Sequence, residues 1–293
     1  MKKAFTLIEL VVAVALLAMM LAFSGIIFKV SIESYRTAVA NAEIMQKLRA
    51  ITDQLNADFK GLAKDGYLIL HCNIENGSEY QGYVPGNFRA DRLYYFSTGD
   101  FQSWFRTDRS NIARIYFGHD SNSLDPPGPV ADRLVSRWNL ARDAVLVTPG
   151  ITPTDPNFDY INISYAQTKA NIPATLADAN GLLVNGVRLN IERYPNDIRR
   201  LMCQNVGWMQ IEWADPNGSV TGGKLNWWGM GNPIAGIFAV AISESASLTY
   251  YKANWDPSNR AYWPKALKFT FTLYDSRNII KGGRMFTHIV YLD

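Results

Sequence analysis

Between Phe5 and Phe28 the chain carries one ionisable side chain, Glu9, in a run dominated by Leu, Ala, Val, Met and Ile. As a helix at about 1.5 Å per residue, this run is roughly 36 Å long, enough for a hydrocarbon core of about 30 Å. Proline is absent and Gly25 is the only glycine, so the segment is expected to form one unbroken helix. Lys2 and Lys3 precede the run and Lys29 follows it. The paired lysines predict a cytoplasmic N-terminus, with the rest of the chain on the far side of the membrane.

Glu9 decides among three readings of this segment. A secretory signal peptide has a charged start, an apolar stretch and a small-x-small cleavage site, which Ala22-Phe23-Ser24 can supply. Signal peptides rarely carry an acid so early in the apolar stretch. A plain membrane anchor gains nothing from one either, since a charge near the centre of a lone spanning helix costs about 2.5–3.5 kcal/mol. Glu9 lies near the cytoplasmic end and escapes part of that cost, but an acid kept there implies a partner.

The third reading accounts for the acid. Ala4-Phe5-Thr6-Leu7-Ile8-Glu9-Leu10, after a short basic leader, resembles the class III signal of type IV prepilins and type II secretion pseudopilins. The resemblance implies cleavage by a prepilin peptidase between Ala4 and Phe5, with N-methylation of Phe5. Glycine is commoner before the cut; Ala4 departs from that pattern while remaining small. Glu9 then becomes the family's acid at the fifth mature position, able to pair with the Phe5 amino group of a neighbouring subunit. In a low-dielectric bundle such a pair offsets desolvation and sets the axial register between helices.

Beyond Lys29 the pattern turns amphipathic. Tyr35, Val39, Ala42, Met45, Leu48, Ile51, Leu55, Phe59 and Leu62 recur at three- and four-residue steps, with charged residues between them. Gly61 and Gly66 mark a stop, so one helix is expected over 5–62. The chain divides into a leader (1–4), a membrane-spanning or filament-core half-helix (5–28), an amphipathic stretch (29–65) and a globular part (66–293).

The globular part reads as antiparallel sheet, which makes the fold class α+β. Strands are expected at 67–72, 92–97, 112–117, 133–138, 144–148, 160–164, 208–213, 237–242, 267–274 and 286–292. Met209, Ile211 and Trp213 alternate with polar residues, as do Leu267, Phe269, Phe271 and Leu273, the habit of a half-buried sheet. The last two strands are expected to pair through 275–284, with Gly282-Gly283 at the turn. A helical flavour at 185–205 is interrupted by Pro195, and loop-like insertions are expected at 120–132, 149–159 and 214–235. The Trp263-Pro264 step and the two strands after it are similar to the C-terminal strands of J-type minor pseudopilins and their minor-pilin relatives.

Signs of chemistry are few. His71, His119 and His288 stand apart with no metal-site spacing, and Gly222-Gly223-Lys224 lacks the rest of a phosphate loop. No cofactor is expected, and no nucleophile–base arrangement points to an enzyme. Asp215 and Asp275 head acidic turns that can lend oxygens to calcium, although turn chemistry explains both. Cys72 and Cys203 can join in one disulfide or stay as free buried thiols, the reading favoured by so few cysteines in 293 residues. Trp227 and Trp228, in a Gly- and Asn-rich stretch, are candidates for an interaction surface. Two of the three net positive charges are Lys2 and Lys3, so the remainder is nearly neutral and nucleic acid is not an expected partner.

The resemblance implies a minor pilin or pseudopilin, held in the bacterial inner membrane with its C-terminal domain outside the cytoplasm and then built into a filament for protein secretion. Its partners would be other pilin-like subunits, the prepilin peptidase and the inner-membrane assembly platform. The competing reading is a membrane-anchored sugar- or protein-binding β-domain that uses the tryptophans.

Overall fold

A computed structural model describes residues 7–76, 87–104, 107–120, 138–150, 159–162, 164–167, 195–214, 220–221, 224–229, 239–245, 248–255 and 257–292. The expected strand at 133–138, apart from Trp138, and most of the three expected insertions lie outside these residues.

The N-terminal run and the amphipathic stretch form one helix, α1 (Leu7–Lys60), of 54 residues. At about 1.5 Å per residue it is roughly 80 Å long. Gly61 ends it for a steric reason. A Cβ there would sit 2.1 Å from the Thr98 carbonyl oxygen, and the Gly61 carbonyl accepts the Thr98 N–H at 2.6 Å. The chain leaves the helix pressed against a strand, where only glycine fits.

The strands follow as β1 (Leu68–Asn76), β2 (Asn87–Arg89), β3 (Arg92–Gln102), β4 (Arg109–His119), β5 (Asn139–Val147), β6 (Tyr160–Ile161), β7 (Leu201–Gln204) and β8 (Val206–Ala214). Then come β9 (Val220–Thr221), β10 (Lys224–Leu225), β11 (Trp227–Trp228), β12 (Ala239–Ser245), β13 (Leu248–Trp255), β14 (Ala266–Leu273) and β15 (Arg284–Tyr291). A large sheet runs β12-β13-β1-β3-β4-β5-β6, with β2 on β1 and β7 on β5; a second runs β11-β8-β14-β15; β9 and β10 pair alone. Among the described residues every strand pairing is antiparallel except that of β5 with β6, and an isolated parallel bridge joins Ala90 to Met209. The layout is α+β and pilin-like, a long N-terminal helix followed by antiparallel sheets.

The main core is shared by the helix and both sheets. Leu68, Leu93, Ile115 and Phe117 from the large sheet meet Met209, Ile211, Phe269 and Phe271 from the second, with Ile51, Leu55 and Phe59 of α1 in the same cluster. Phe59 stacks on Tyr95 with ring centroids 4.5 Å apart and tilts against Phe269 at 5.9 Å, so one helix residue ties the two sheets together. Burying one such side chain stabilises by about 1.5–3 kcal/mol.

Several expectations are corrected. The large sheet is covered on both faces. Tyr94, Phe96 and Tyr116 join Ile69 and Tyr67 in a second cluster opposite the main core, so β3 is buried at six consecutive positions, whereas β8 and β14 alternate as expected. The stretch expected to be helical at 185–205 holds only a short 3-10 turn at Pro195–Arg199 before β7, with 185–194 outside the described residues. Pairing along β5, Leu140 with Cys203, overrides the local preference. The strand expected at 160–164 shrinks to two residues, and β13 fills a place between β12 and β1 where its sequence had suggested none. The closing hairpin stands as expected. Gly283 has φ +61°, and a Cβ there would meet the Leu273 carbonyl oxygen at 2.9 Å.

Candidate assembly surface

The helix has two halves with different surroundings. Residues 7–39, Glu9 among them, are all exposed, and burial starts at Ala40. Among the described residues, α1 is the one helix long and apolar enough to cross a membrane. Ala4 and Phe5, the expected cleavage pair, lie outside the described residues.

The second half is held by packing and by charge. Ile44, Ile51, Leu55 and Phe59 point into the core at steps of seven and four, the spacing of one helical face. This stripe differs from the expected one at its N-terminal end. Tyr35, Val39 and Met45 stay exposed while Ala40 and Ile44 are buried. The helix carries two adjacent apolar stripes there, and the 274–283 loop selects one of them by gripping the side of Ala40 and Glu43. The Glu43 carboxylate accepts the Ser276 N–H at 2.9 Å and its hydroxyl at 3.0 Å. Lys47 pairs with Glu43 at 2.8 Å and donates to the Tyr274 carbonyl at 2.9 Å and to Asn205 Oδ1 at 3.3 Å. Burial alone would raise the Glu43 pKa; the hydrogen bonds from Lys47 and Ser276 outweigh it and hold the carboxyl below its usual range.

Near its C-terminal end the helix is clamped to β5. Arg142 donates from Nε and a terminal nitrogen to the two Asp58 oxygens, each at 2.6 Å. The Asp58 side chain is 4% exposed, Gln54 also donates to it at 2.8 Å, and Ser97 Oγ donates to its backbone carbonyl at 2.8 Å. Burial works against the Arg142 cation, but the Asp58 hydrogen bonds and charge raise its pKa above the usual value. This clamp was missed in the sequence. Its trace was an acid three residues after Leu55, inside an otherwise apolar stripe.

The remaining candidates resolve as follows. Trp227 and Trp228 do not sit in an irregular loop but form the short edge strand β11 beside β8, at Trp227–Ala214 and Trp228–Trp213. Trp228 packs on the main core, and Lys268 Nζ lies 4.7 Å from the centre of the Trp227 ring, so both are half-buried. Cys203 is a buried free thiol whose pKa is pushed up to about 11 by burial. Strands β3, β4 and β5 separate Cys72 on β1 from Cys203 on β7, and at about 4.8 Å per strand the two are not brought together. Asp275 spends its carboxylate on the N–H groups of Ile279 and Ile280, at 2.8 and 2.9 Å, which is turn chemistry. Asp215 lies outside the described residues. His119 is buried, bonds through Nε2 to the Val206 carbonyl at 3.0 Å, and has its pKa lowered to about 4 chiefly by that burial. His288 meets Asn56 Oδ1 at 2.9 Å, and among the described residues no cluster of His, Cys, Asp and Glu could hold a metal ion.

The arrangement offers a rod, apolar over 7–28 apart from Glu9, that continues as the same helix into a docked domain. Neither the curated proteins nor the solved structures include a match to this chain. Residues 1–25, however, match the prokaryotic N-terminal methylation motif, so the chain opens with a type IV pilin-like signal.

Proposed function

We propose that this protein is a minor pilin or pseudopilin, a structural subunit without catalytic activity of its own. It inserts through the first half of α1 with Lys2 and Lys3 on the cytoplasmic side. A prepilin peptidase removes residues 1–4, and the new amino group of Phe5 is methylated. The platform beneath the filament then draws the helix out of the bilayer into a bundle of like helices. In that bundle the Glu9 carboxylate pairs with the Phe5 amino group of a neighbour, which gives a low-dielectric core one axial register. The filament is a type II secretion pseudopilus or a type IV pilus-like filament, both of which use this signal and subunit plan.

The observation that carries the reading is the continuity of α1. An exposed half, apolar over 7–28 apart from Glu9, runs without a break into a half docked on both sheets, behind a methylation motif. A linker would let the domain swing free of an anchor. Unbroken helix instead transmits the position of the domain to the rod.

Mass spectrometry of the mature N-terminus tests this. Methylated Phe5 is the expected result. A chain beginning at Gly25 would mean a secreted domain, and a retained Met1 in cells with active prepilin peptidase would mean a simple anchor. Either of these ends the proposal.

A further inference from the structure

We infer that the free edge of β15 is a strand-addition site, taking an extended segment of a neighbouring subunit into the groove between β15 and α1. The inference rests on the filament reading above and names a contact within it. β15 is the last strand of the second sheet and pairs with β14 over eight residues with no shift of register. Leu292 N donates to the Lys265 carbonyl at 2.9 Å, one step beyond that ladder. By the alternation of an antiparallel pair, residues 284, 286, 288 and 290 therefore also turn their backbone groups to β14. Met285, Thr287, Ile289 and Tyr291 turn theirs outward, and all four are exposed. Among the described residues, no backbone hydrogen bond reaches these outward groups.

Edges of this kind are normally blunted by lysine, proline, a bulge or shortness. The other edges follow that rule. β11 and β6 have two residues each, β7 has four, and β12 breaks register between Ser243 and Ser245. β15 has none of these devices, and it presents Met285 and Tyr291, each 64% exposed. A row of N–H and C=O groups is complementary to one thing, another extended backbone.

The groove supplies the second half of the site. A cavity of about 880 Å³ lies between α1 and β15, with Met45, Leu48, Arg49 and Asp53 on the helix side and Phe286 and His288 on the strand side. A second, of about 500 Å³, continues along Phe59, Leu62 and 289–292. An edge strand walled by a helix is the geometry in which an added strand bonds through its backbone and drops alternate side chains into the trough. The lining mixes apolar Met45, Leu48 and Phe286 with polar Gln46, Asn56 and His288, so the added strand is expected to alternate apolar with polar side chains there, with room for a charge opposite Arg49 or Asp53.

Amide exchange resolved to single residues tests the site on the processed full-length chain, as detergent-held monomer and in sheared filaments. Exchange at 285, 287, 289 and 291 is expected to slow by about tenfold or more in the filament. Thr287→Pro removes an outward N–H and leaves the β14 ladder intact, so it is expected to enter filaments at less than about a tenth of the normal level. Thr287→Val, which keeps the N–H, is expected to enter normally. Equal exchange in the two states, protection already present in the monomer, or normal entry of T287P would overturn the inference. Filaments with an unprotected edge would refute this contact alone. Failure of the unaltered chain to enter any filament would refute both it and the proposed function.

Discussion

The two halves of α1 are the same helix under opposite constraints. Over 7–39 every residue is exposed, whereas over 40–60 Ile44, Ile51, Leu55 and Phe59 are almost wholly buried. Over 7–28 that half is apolar all round apart from Glu9, so no single face of the stretch is marked for a partner; Lys29, Glu33 and Arg36 interrupt it only beyond that. The second half is apolar on one side, and its position is set by charge as well as by packing, through Glu43, Lys47 and Asp58. A uniform greasy surface can slide and rotate against its neighbours at little cost, whereas a stripe flanked by specific ion pairs cannot. The contrast teaches where the docked half gets its specificity, from its own chain; in the proposed filament the bare half would take its specificity from a neighbouring subunit.

The contrast breaks most visibly at Glu9. Glu9→Ala is expected to leave insertion and leader cleavage unchanged while reducing incorporation at least tenfold, since stranding one member of a buried ion pair costs about 3–5 kcal/mol. The ratio of filament-borne to membrane-held subunit after shearing measures it. The melting of the domain should not move. Normal incorporation of this variant would remove the pairing from the account.

In the docked half the corresponding acid is Asp58. Asp58→Asn leaves the Arg142 cation without its counter-charge in a mostly buried place and is expected to cost about 3 kcal/mol in chemical denaturation. Replacing both residues by leucine and methionine should recover much of the loss, because the desolvation of the pair then disappears as well. A double variant as unstable as the single one would mean that Asp58 works through Gln54 and Ser97 instead.

The smallest effect sharpens the junction between the halves. Glu43 has a lowered pKa when folded, so the stability it contributes is present above the ordinary carboxylate value and fades as pH falls through the lowered one. The 274–283 loop is therefore expected to loosen only as pH falls below the ordinary carboxylate value, before the core does, seen as faster exchange at the Ser276 amide. Glu43→Gln should cost under about 1 kcal/mol and abolish that acid response. An unchanged response would assign it to another carboxylate, with Asp275 the first to examine.

Some of this was legible before any coordinates. The apolar run, its flanking lysines, Glu9, the glycine stop and the alternation in β8 and β14 are local patterns, and each reads directly into an element. The buried stripe was legible only at its C-terminal end, because Val39 and Met45 also fall at three-residue steps through Ala42 although they lie about 100° round the helix from Ala40 and Ile44. β7 and β13 were hidden for another reason, since a strand that owes its existence to the neighbour it pairs with need not carry a strong pattern of its own. Trp227 and Trp228 looked like part of a loop because Gly and Asn surround them, and it was the pairing with β8 that made them a short edge strand.

What the sequence determined by itself was the kind of molecule: a membrane-length helix with one acid, a methylation motif and a β-rich body, all written in spacings of a few residues. Only the tertiary structure decided which apolar stripe is buried, that Asp58 clamps the helix to β5, and that β15 ends the second sheet with its backbone open. Those outcomes depend on residues such as Asp58 and Arg142 meeting across 84 positions of chain. Long-range pairing of this kind is chosen by the whole packed core, and no local pattern encodes it.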